Sequence, residues 1–380
     1  MTGVLVTGLG VLAPNGMDAE EHWRATLEGR SGISRISRFD VSGYPAQLAG
    51  QIQGFDAQRH LPGRLLPQTD RVTRLALVAA DAALADAGVD AAALPEYGMG
   101  VVTSNASGGF EFTHTEIQKL WTKGSRHVSV YESFAWFYAV NTGQISIRHG
   151  MRGPSGVLVA EQAGGLDAIG HARRTLRRGH QLMVTGGVES SFDPWGWVSH
   201  LSSGRVSSET DPAAAYRPFD ATAAGFVPGE GGAILVLEDE AAASARGAAK
   251  VYGEIAGYAA TFDPRPGSGR PPGLGRAARL AMDDAGVAPG EVDVVFADAA
   301  GVAALLSLRD CVIPPTAGTT RVPEDYQLDL VTGQPREIPV RTALVLARGY
   351  GGFNSALVLR AAGVPSHTAG ATAAREVVPS

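Results

Sequence analysis

An internal repeat constrains the fold of this chain more than any other feature of its sequence. Residues 83–89 (ALADAGV) precede an apolar stretch over 98–104, and residues 281–287 (AMDDAGV) precede a second apolar stretch over 292–297. Each copy has the pattern of a helix end, a short loop and a buried strand. The copies lie about two hundred residues apart, which is too far for a solenoid. The repeat therefore predicts two related α/β halves, each a sheet flanked by helices.

The composition is typical of a large, well-buried protein. Hydrophobic residues make up 44% of the 380 residues and charged residues only 18%, which favours an extensive core or subunit interface. A net charge of -6 argues against general nucleic-acid binding. A single cysteine rules out an internal disulfide. Because the chain also shows no signal-peptide pattern and no bilayer-spanning apolar run, we expect a cytoplasmic protein.

Residues 153–179 contain a predicted strand, a tight turn and a helix. The run 157–160 is apolar, and three small residues follow at 163–165. The helix after them is amphipathic, with four arginines on one side and Gly179 as its predicted C-terminal cap. Gln162 lies in the elbow, where enzymes place a nucleophile because the helix dipole stabilises an anion. Its amide side chain can neither ionise nor attack a carbonyl.

This elbow resembles the active-site elbow of β-ketoacyl synthases, whose motif Thr-Ala-Cys stands where this chain has Ala160-Glu161-Gln162. Glutamine at the cysteine position is typical of chain length factors, the ketosynthase-beta subunits of type II aromatic polyketide synthases, and the sequence looks most like the actinorhodin-type subunits. The resemblance implies a thiolase-like α/β fold of two related halves, with five layers in the order α-β-α-β-α.

We place the two predicted halves at residues 1–250 and 251–362. The first half contains the elbow at 153–179. The tail, residues 363–380, lacks apolar periodicity, so we expect it to be disordered.

Two further stretches carry the same resemblance. Residues 216–238 resemble a second ketosynthase signature, and the glycine-rich stretch 349–354 resembles the loop that helps to form the oxyanion hole. The resemblance makes Gln162 and Tyr350 candidate contacts for a substrate or an oxyanion. A hairpin turn without a catalytic role would explain the glycine-rich stretch equally well.

The chain departs from the condensing-enzyme pattern at a second position. Asp298 stands where ketosynthases have their first catalytic histidine. Family members also carry dozens of additional residues between about Val302 and Ala304, including a catalytic lysine and a second histidine. Whether this chain has a true deletion there, or lacks residues that are disordered, stays open.

The resemblance implies a function without a nucleophile. The chain would pair as a heterodimer with a Cys-bearing ketosynthase-alpha subunit and would set chain length during decarboxylative condensation of malonyl units. The substrates would arrive on the phosphopantetheine of acyl carrier protein. No bound cofactor, metal, nucleic acid or membrane is expected.

Three residues are candidates for a length gate. Phe110, Thr113 and Ile117 recur at spacings of three and four, so they share one face of a helix predicted over 111–123 if that helix begins near Phe110. They match positions that line the far end of the tunnel in chain length factors. The alternative is that Phe110 and Ile117 are ordinary core residues.

An aromatic segment follows the predicted gate helix. Its residues Phe134, Trp136 and Phe137 lie within 133–140. In ketosynthases this region lies at the dimer interface and the acyl tunnel. Ordinary core packing would also explain the segment.

Two other functions are compatible with parts of the sequence. Glutamine at the elbow also occurs in ketosynthase-like malonyl-carrier decarboxylases that prime polyketide synthesis. Residues 8–13 fit the G-x-G-x-x-A turn of nucleotide-binding oxidoreductases. Pro14 interrupts the chain where the phosphate-binding helix should run, which weakens the second alternative.

Some residues have simpler interpretations. The arginines at 173–178 form a solvated face, or a surface for an acidic carrier protein. Cys311 is interpreted as a small buried hydrophobic residue. The nine histidines show no zinc-binding spacing.

Overall fold

A computed structural model describes residues 3–298 and 300–363. The strands are β1 (Val4–Leu12), β2 (Ile33–Arg35), β3 (Leu48–Gly50), β4 (Met99–Ser104), β5 (Ser155–Leu158), β6 (Leu182–Glu189), β7 (Gly231–Asp239), β8 (Gly253–Phe262), β9 (Val294–Phe296), β10 (Val312–Ile313), β11 (Arg336–Glu337), β12 (Thr342–Arg348) and β13 (Phe353–Arg360). The helices are α1 (Ala19–Leu27), α2 (Arg71–Asp86), α3 (Phe110–Lys123), α4 (Glu132–Ala135), α5 (Val140–His149), α6 (Gly164–Leu176), α7 (Pro194–Ser202), α8 (Glu240–Ala245), α9 (Leu274–Ala285) and α10 (Gly301–Asp310).

Nine strands form one continuous sheet whose order repeats on either side of its centre. The order is β5-β4-β6-β7-β1-β8-β13-β12-β9. Outward from the central β1/β8 pair, the first half runs β1-β7-β6-β4 and the second runs β8-β13-β12-β9. In both halves the first two pairings are antiparallel and the third is parallel. The prediction of two related halves is therefore confirmed, and β5 is the one sheet strand without a counterpart among the described residues.

In each half, the repeated sequence belongs to a helix that packs closely against one strand. A Cβ on Gly8 of β1 would lie 2.2 Å from the carbonyl oxygen of Ala83 on α2. A Cβ on Gly257 of β8 would lie 2.1 Å from the carbonyl oxygen of Ala281 on α9. Glycine is required at both places because the helix backbone occupies the space of a side chain.

A carboxylate then completes each helix–strand contact. Asp86 of α2 accepts a hydrogen bond of 2.9 Å from the backbone N–H of Leu9, and Asp284 of α9 accepts one of 3.0 Å from that of Tyr258. The two aspartates occupy the same place in the two copies of the sequence repeat, so the repeat extends to individual hydrogen bonds.

The alternative of a dinucleotide-binding turn at residues 8–13, which Pro14 already weakened, does not match the structure. Residues 8–12 lie inside β1, and the next helix, α1, begins only at Ala19. The glycines serve helix packing instead, since a Cβ on Gly10 would lie 1.9 Å from the carbonyl oxygen of Ala79. With no helix N-terminus at the end of β1, the phosphate-binding arrangement is absent there.

Three buried clusters arrange the helices and sheet in five layers. Helix α2 packs with β1, β4, β6 and β7 on one outer face, and α9 packs with β8, β12 and β13 on the other. Helices α6 and α10 share the central cluster, in which Leu166 and Leu306 meet strand residues of both halves, including Leu237 and Val345. The implied order α-β-α-β-α is confirmed.

The strand predicted at 157–160 is shifted towards the N-terminus. It is β5, which begins and ends two residues earlier because the chain turns out of the sheet towards α6. The predicted tail lies outside the described residues, apart from residue 363. Across residues 3–298 and 300–363 we find no helix with both the length and the hydropathy needed to cross a bilayer.

Candidate functional site

The elbow between β5 and α6 positions Gln162. Glu161 adopts a left-handed backbone conformation, with φ of 49°, which is unfavourable for a non-glycine residue and is found most often at functional sites. A short 3-10 turn, Glu161–Ala163, leads directly into α6. A Cβ on Gly164 would lie 2.0 Å from the Oγ of Ser104 at the end of β4. Glycine at this position lets the turn approach the sheet.

Gln162 contacts the glycine-rich loop through its amide oxygen. Its Oε1 accepts a hydrogen bond of 3.1 Å from the backbone N–H of Tyr350. The ring of Tyr350 is 62% exposed, so its backbone rather than its phenol meets the elbow. Because a glutamine amide also carries two N–H donors, the Nε2 group of this exposed side chain can donate to a substrate oxygen.

Asp298 is paired with a tyrosine. The hydroxyl of Tyr216 donates to Asp298 Oδ2 over 3.1 Å. Burial raises the pKa of the Tyr216 phenol, and the nearby Asp298 carboxylate raises it further, so the tyrosine stays protonated as a donor. A carboxylate that accepts this bond cannot donate one, which distinguishes it chemically from the histidine of the condensing-enzyme pattern.

The three candidate gate residues lie on α3, which begins at Phe110 as their spacing required. The Phe110 ring is half-buried, with its centroid 4.9 Å from that of Trp195 on α7. Thr113 is half-buried, and Ile117 is 37% exposed. Ile117 is therefore not a core residue of this chain taken alone.

Acidic groups lie beside the middle of α3. Glu116, which is 3% exposed, accepts hydrogen bonds from Lys119 Nζ and the backbone N–H of Ser129, at 2.5 and 2.7 Å. Burial raises the pKa of the Glu132 carboxyl and Glu116 raises it further, whereas the Thr113 hydroxyl lowers it. The side of the helix near Thr113 is consequently more polar than the Phe110 end.

The aromatic segment is only partly buried. Phe134 is half-buried against Tyr131, with ring centroids 5.9 Å apart. Trp136 and Phe137 are 47% and 38% exposed, and nearby Val130 is 80% exposed. We call the exposed apolar side chains around α3, α4 and α7 the aromatic face; its members are Trp121, Val130, Trp136, Phe137 and Trp195. Large apolar side chains left exposed on neighbouring elements are typical of an interaction site.

One simpler interpretation is wrong in part, and a second is wrong altogether. Arg173 does not lie on a solvated face: it is 3% exposed, and it donates to Asp284 Oδ2 over 2.6 Å and to the carbonyl oxygen of Ala256. The second half of the sheet covers α6 at this residue, whereas Arg174 and Arg178 are exposed, as the interpretation expected. Cys311 is exposed rather than buried, because it caps α10 in a left-handed conformation with φ of 56°.

Sequence reasoning missed three carboxylates near the start of α3, of which those of Asp70 and Glu230 are buried and that of Glu189 is half-buried. Asp70 bonds to the backbone at the starts of α2 and α3. Glu189 accepts from the backbone N–H groups of residues 106 and 107, at 2.9 and 3.0 Å. Glu230 accepts from Arg71 at 2.8 Å and from Arg38 at 3.1 Å. Only Asp70 can be recognised from the sequence, because it has the position of an N-cap residue before an amphipathic helix.

Comparison with known proteins identifies the family. The model of the β-ketoacyl synthase N-terminal domain matches residues 1–243. The chain belongs to the β-ketoacyl synthase family. It is 61% identical to the actinorhodin polyketide putative beta-ketoacyl synthase 2 of Streptomyces coelicolor, over 94% of this chain and 98% of the relative. It is 56% identical to the tetracenomycin polyketide synthase ketoacyl synthase beta subunit of Streptomyces glaucescens, with the same coverage.

Solved structures agree with this assignment. The ishigamide ketosynthase/chain length factor matches with a TM-score of 0.83 at 25% identity, over 95% of this chain and 100% of the other. A type II PKS acyl-carrier protein in complex with its ketosynthase bound to the hexaketide also gives 0.83 and 25%, over 95% and 99%. Both the resemblance to the ketosynthase-beta branch and the thiolase-like fold are confirmed.

The β-ketoacyl synthase relatives are longer than this chain. The alignment with the actinorhodin relative spans 399 positions, whereas 94% of this 380-residue chain amounts to about 357 residues, so some forty aligned positions have no residue here. In the structure, α10 runs without interruption from Gly301 through residues 302–304. The location of the missing segment between Val302 and Ala304 stays a prediction.

Proposed function

We propose that this chain is the non-nucleophilic beta subunit of a type II polyketide ketosynthase. It pairs with a Cys-bearing alpha subunit and limits the length of the polyketide built from malonyl units on acyl carrier protein in the cytoplasm. The observation that carries this proposal is Gln162, which occupies an otherwise intact nucleophile elbow. Since an amide forms no thioester, the acyl chain must be held by a cysteine of another subunit.

Two features support the pairing with another subunit. Strand β5 lies at one edge of the sheet, so its outer backbone groups are available to a further strand. The aromatic face lies on the segment that connects β4 to β5 and on α7. A partner that covers this face would bury apolar area worth about 25 cal/mol per Å². The related ishigamide protein, a ketosynthase/chain length factor, supports a heterodimer.

The substrate reaches the site on a carrier protein in our proposal. A related ketosynthase binds a type II PKS acyl-carrier protein and a hexaketide. The phosphopantetheine arm of the carrier supplies the thioester, so this chain needs no cofactor of its own. Its side chains orient the growing polyketide and exclude water from it.

Length control in our proposal is steric, and α3 provides it. The growing chain advances until it meets Phe110, Thr113 and Ile117 on one face of that helix. Further growth must displace packed side chains, which costs about 1–3 kcal/mol or more because protein interiors resist overpacking. Phe110 is the largest obstacle of the three, and its contact with Trp195 restricts its movement.

Product length from the co-expressed heterodimer tests the gate. Phe110→Ala, alone and with Ile117→Ala, removes the obstacle, so we expect products longer by at least one two-carbon unit, detected by mass spectrometry. Phe112→Ala is the matched control, since Phe112 follows Phe110 by two residues and points to another side of α3. Assembled, active variants that make only the original length would refute the gate.

A second candidate function is decarboxylation of malonyl-carrier protein, and the exposed Nε2 of Gln162 favours it. The amide oxygen is already bonded to the Tyr350 N–H, so the N–H donors are free to face a malonyl carboxylate or thioester oxygen. The competing interpretation is that Gln162 only fills the space of the absent cysteine.

Two substitutions separate these roles of Gln162. Gln162→Glu keeps the size and the acceptor for Tyr350, but loses the donors and repels a carboxylate. If the amide acts on the substrate, Gln162→Glu and Gln162→Ala should both lower malonyl-carrier decarboxylation, measured as released CO₂. A Gln162→Glu variant with unchanged decarboxylation leaves only the packing role. Intact mass spectrometry should show no acyl adduct on this chain in any of these proteins.

A further inference from the structure

We propose that Asp70 is a positioning residue for the length gate, because it fixes the start of α3 against the start of α2. This inference rests on the proposed function of α3. Asp70 precedes α2 and is 2% exposed. Its Oδ1 accepts a hydrogen bond of 2.8 Å from the backbone N–H of Val72, and its Oδ2 accepts one of 2.8 Å from that of Phe112. One carboxylate thus joins the first turns of two helices.

Helix α3 depends on this outside acceptor because it has no cap of its own. Its N-cap residue is Gly109, which carries no side chain to accept from the first N–H groups. Phe112 is the third residue of the helix, and its N–H would be left without an acceptor if Asp70 were removed. The bond therefore acts within the same turn as Phe110 and next to Thr113.

The glycines before α3 let it come close enough to Asp70. A Cβ on Gly109 would lie 3.1 Å from the Cβ of Asp70 and 2.1 Å from the carbonyl oxygen of Ala135. Gly108 has φ of 70°, and a Cβ there would lie 2.3 Å from the carbonyl oxygen of Trp136. The turn is consequently held between the segment after α4 on one side and Asp70 on the other.

The second half of the molecule has neither the buried aspartate nor, among its described residues, a counterpart of α3. Helix α9 is the counterpart of α2, and it begins after Gly273 with no side-chain cap. No helix corresponding to α3 lies between β9 and α10 in the described residues, where only residues 297–300 connect the two. The buried aspartate therefore occurs in the half that has a gate helix to hold.

A second contact fixes the same turn from the outside. Arg38 pairs with Glu111 and also bonds to the buried Glu230 at 3.1 Å. Further along α3, His114 Nδ1 lies 2.6 Å from Asp193 Oδ2. The first turns of the helix are held on several sides, whereas Ile117 and the residues after it are more exposed. Asp70 is the member of this set that bonds directly to the helix backbone.

The test separates the two bonds that Asp70 makes. Asp70→Ser keeps an N-cap oxygen for α2, but the serine side chain is too short to reach the N–H of Phe112. Asp70→Asn has one acceptor oxygen and one donor NH₂ group, so it cannot accept from both Val72 and Phe112 through two oxygens as the aspartate does. Asp18→Ser is the matched control, because Asp18 caps α1 through Glu21 N–H only within its own helix, at 2.7 Å. All three variants are co-expressed with the Cys-bearing partner.

We expect Asp70→Ser and Asp70→Asn to broaden the product distribution towards chains longer by one two-carbon unit, while Asp18→Ser leaves it unchanged. Amide hydrogen exchange at Phe112 should be faster in both Asp70 variants and unchanged in the control. If one Asp70 variant fails to fold, the other decides by the same criteria.

Three outcomes count against the inference in different ways. If Phe110→Ala lengthens the product and neither folded Asp70 variant does, Asp70 does not position the gate, and the proposed function stands. If Phe110→Ala also leaves the length unchanged, the gate itself is refuted and this inference with it. A loss of yield in proportion to lost heterodimer, with constant product length, likewise assigns Asp70 a structural role only.

Discussion

The two halves of this molecule differ most in the segments after the corresponding strands β4 and β9. In the first half, about sixty residues separate β4 from α6, and they form α3, α4, α5 and β5. In the second half, α10 begins at Gly301, directly after β9 ends at Phe296. The shared elements build the scaffold, whereas the candidate gate, most of the aromatic face and the edge strand lie in the long connection of one half. The candidate functional segments are therefore concentrated in one of the two halves.

The difference also leaves β9 without the cover that β4 has. Val102 in β4 is fully buried, with β5 on one side of the strand and β6 on the other. Val295 in β9 is 54% exposed, and β9 forms the far edge of the sheet. The β-ketoacyl synthase relatives carry some forty residues that this chain lacks. A missing connection after β9 would account for both observations.

The largest expected effect concerns the core that the halves share. Leu166 on α6 and Leu306 on α10 are both buried in the central layer. We expect Leu166→Ala and Leu306→Ala each to lower the free energy of unfolding by about 2–5 kcal/mol, measured by urea denaturation. Two separate unfolding transitions, or a negligible effect of one substitution, would mean that the halves do not share one core.

A smaller effect is expected from the aspartate that only the first half has. Burial is the main cause that raises the pKa of Asp70 to about 7, and the charge of Glu111 adds a smaller contribution. The N–H groups of Val72 and Phe112 and the charge of Arg74 lower this pKa, but by less than burial raises it. Because the folded state holds the proton more tightly than the unfolded state, stability falls as pH rises from about 4 to about 7. The slope approaches about 1.4 kcal/mol per pH unit.

Asp70→Asn tests this pH dependence, since asparagine does not ionise. The difference in unfolding free energy between the parent and the variant should change across pH 4–7 and level off above that range. Arg71 and Glu111 remain in both proteins, so their titration cancels in the difference. A constant difference from pH 4 to pH 8 would show that Asp70 keeps an ordinary pKa.

The smallest expected effect is at the exposed edge of the second half. Val295→Ala should change the free energy of unfolding by less than about 0.5 kcal/mol, as for other surface positions. Val102→Ala, its matched control in β4, should cost several times more because it removes fully buried methyl groups.

A stronger test inserts the missing segment of a relative after Val302. Val295→Ala should then become costly, and an unchanged small cost would show that the segment does not cover β9.

The repeat and the elbow were predictable from the sequence because each depends on short-range patterns. Helix α2, strand β4 and helix α3 follow apolar periodicity, and glycine at positions 8 and 257 reflects contacts that tolerate no side chain. The glycines at 8 and 10 also fit a phosphate-binding turn, an alternative that Pro14 weakened but did not remove. A close helix–strand contact and a phosphate turn require the same residue type, so only the continuation of β1 to Leu12 distinguishes them.

Burial by the opposite half could not be predicted in the same way. The arginines of α6 have the pattern of a solvated face, yet Arg173 is buried because the second half of the sheet covers that side. The pairing of Asp284 with Arg173 has the same origin. Such contacts join residues more than a hundred positions apart, and no local pattern records them.

The sequence was sufficient for three conclusions: the two-half α/β architecture from its repeat, the absence of a nucleophile at Gln162 from residue identity, and the family from the resemblance of the elbow to a known motif. Three others required the folded chain. These are that Asp70 bonds to both α2 and α3, that Gln162 Oε1 meets the Tyr350 N–H, and that β9 forms an exposed edge. Each depends on contacts between segments that are distant in the sequence. Hydrophobic burial and the need to pair buried hydrogen-bonding groups bring such segments together only when the whole chain folds.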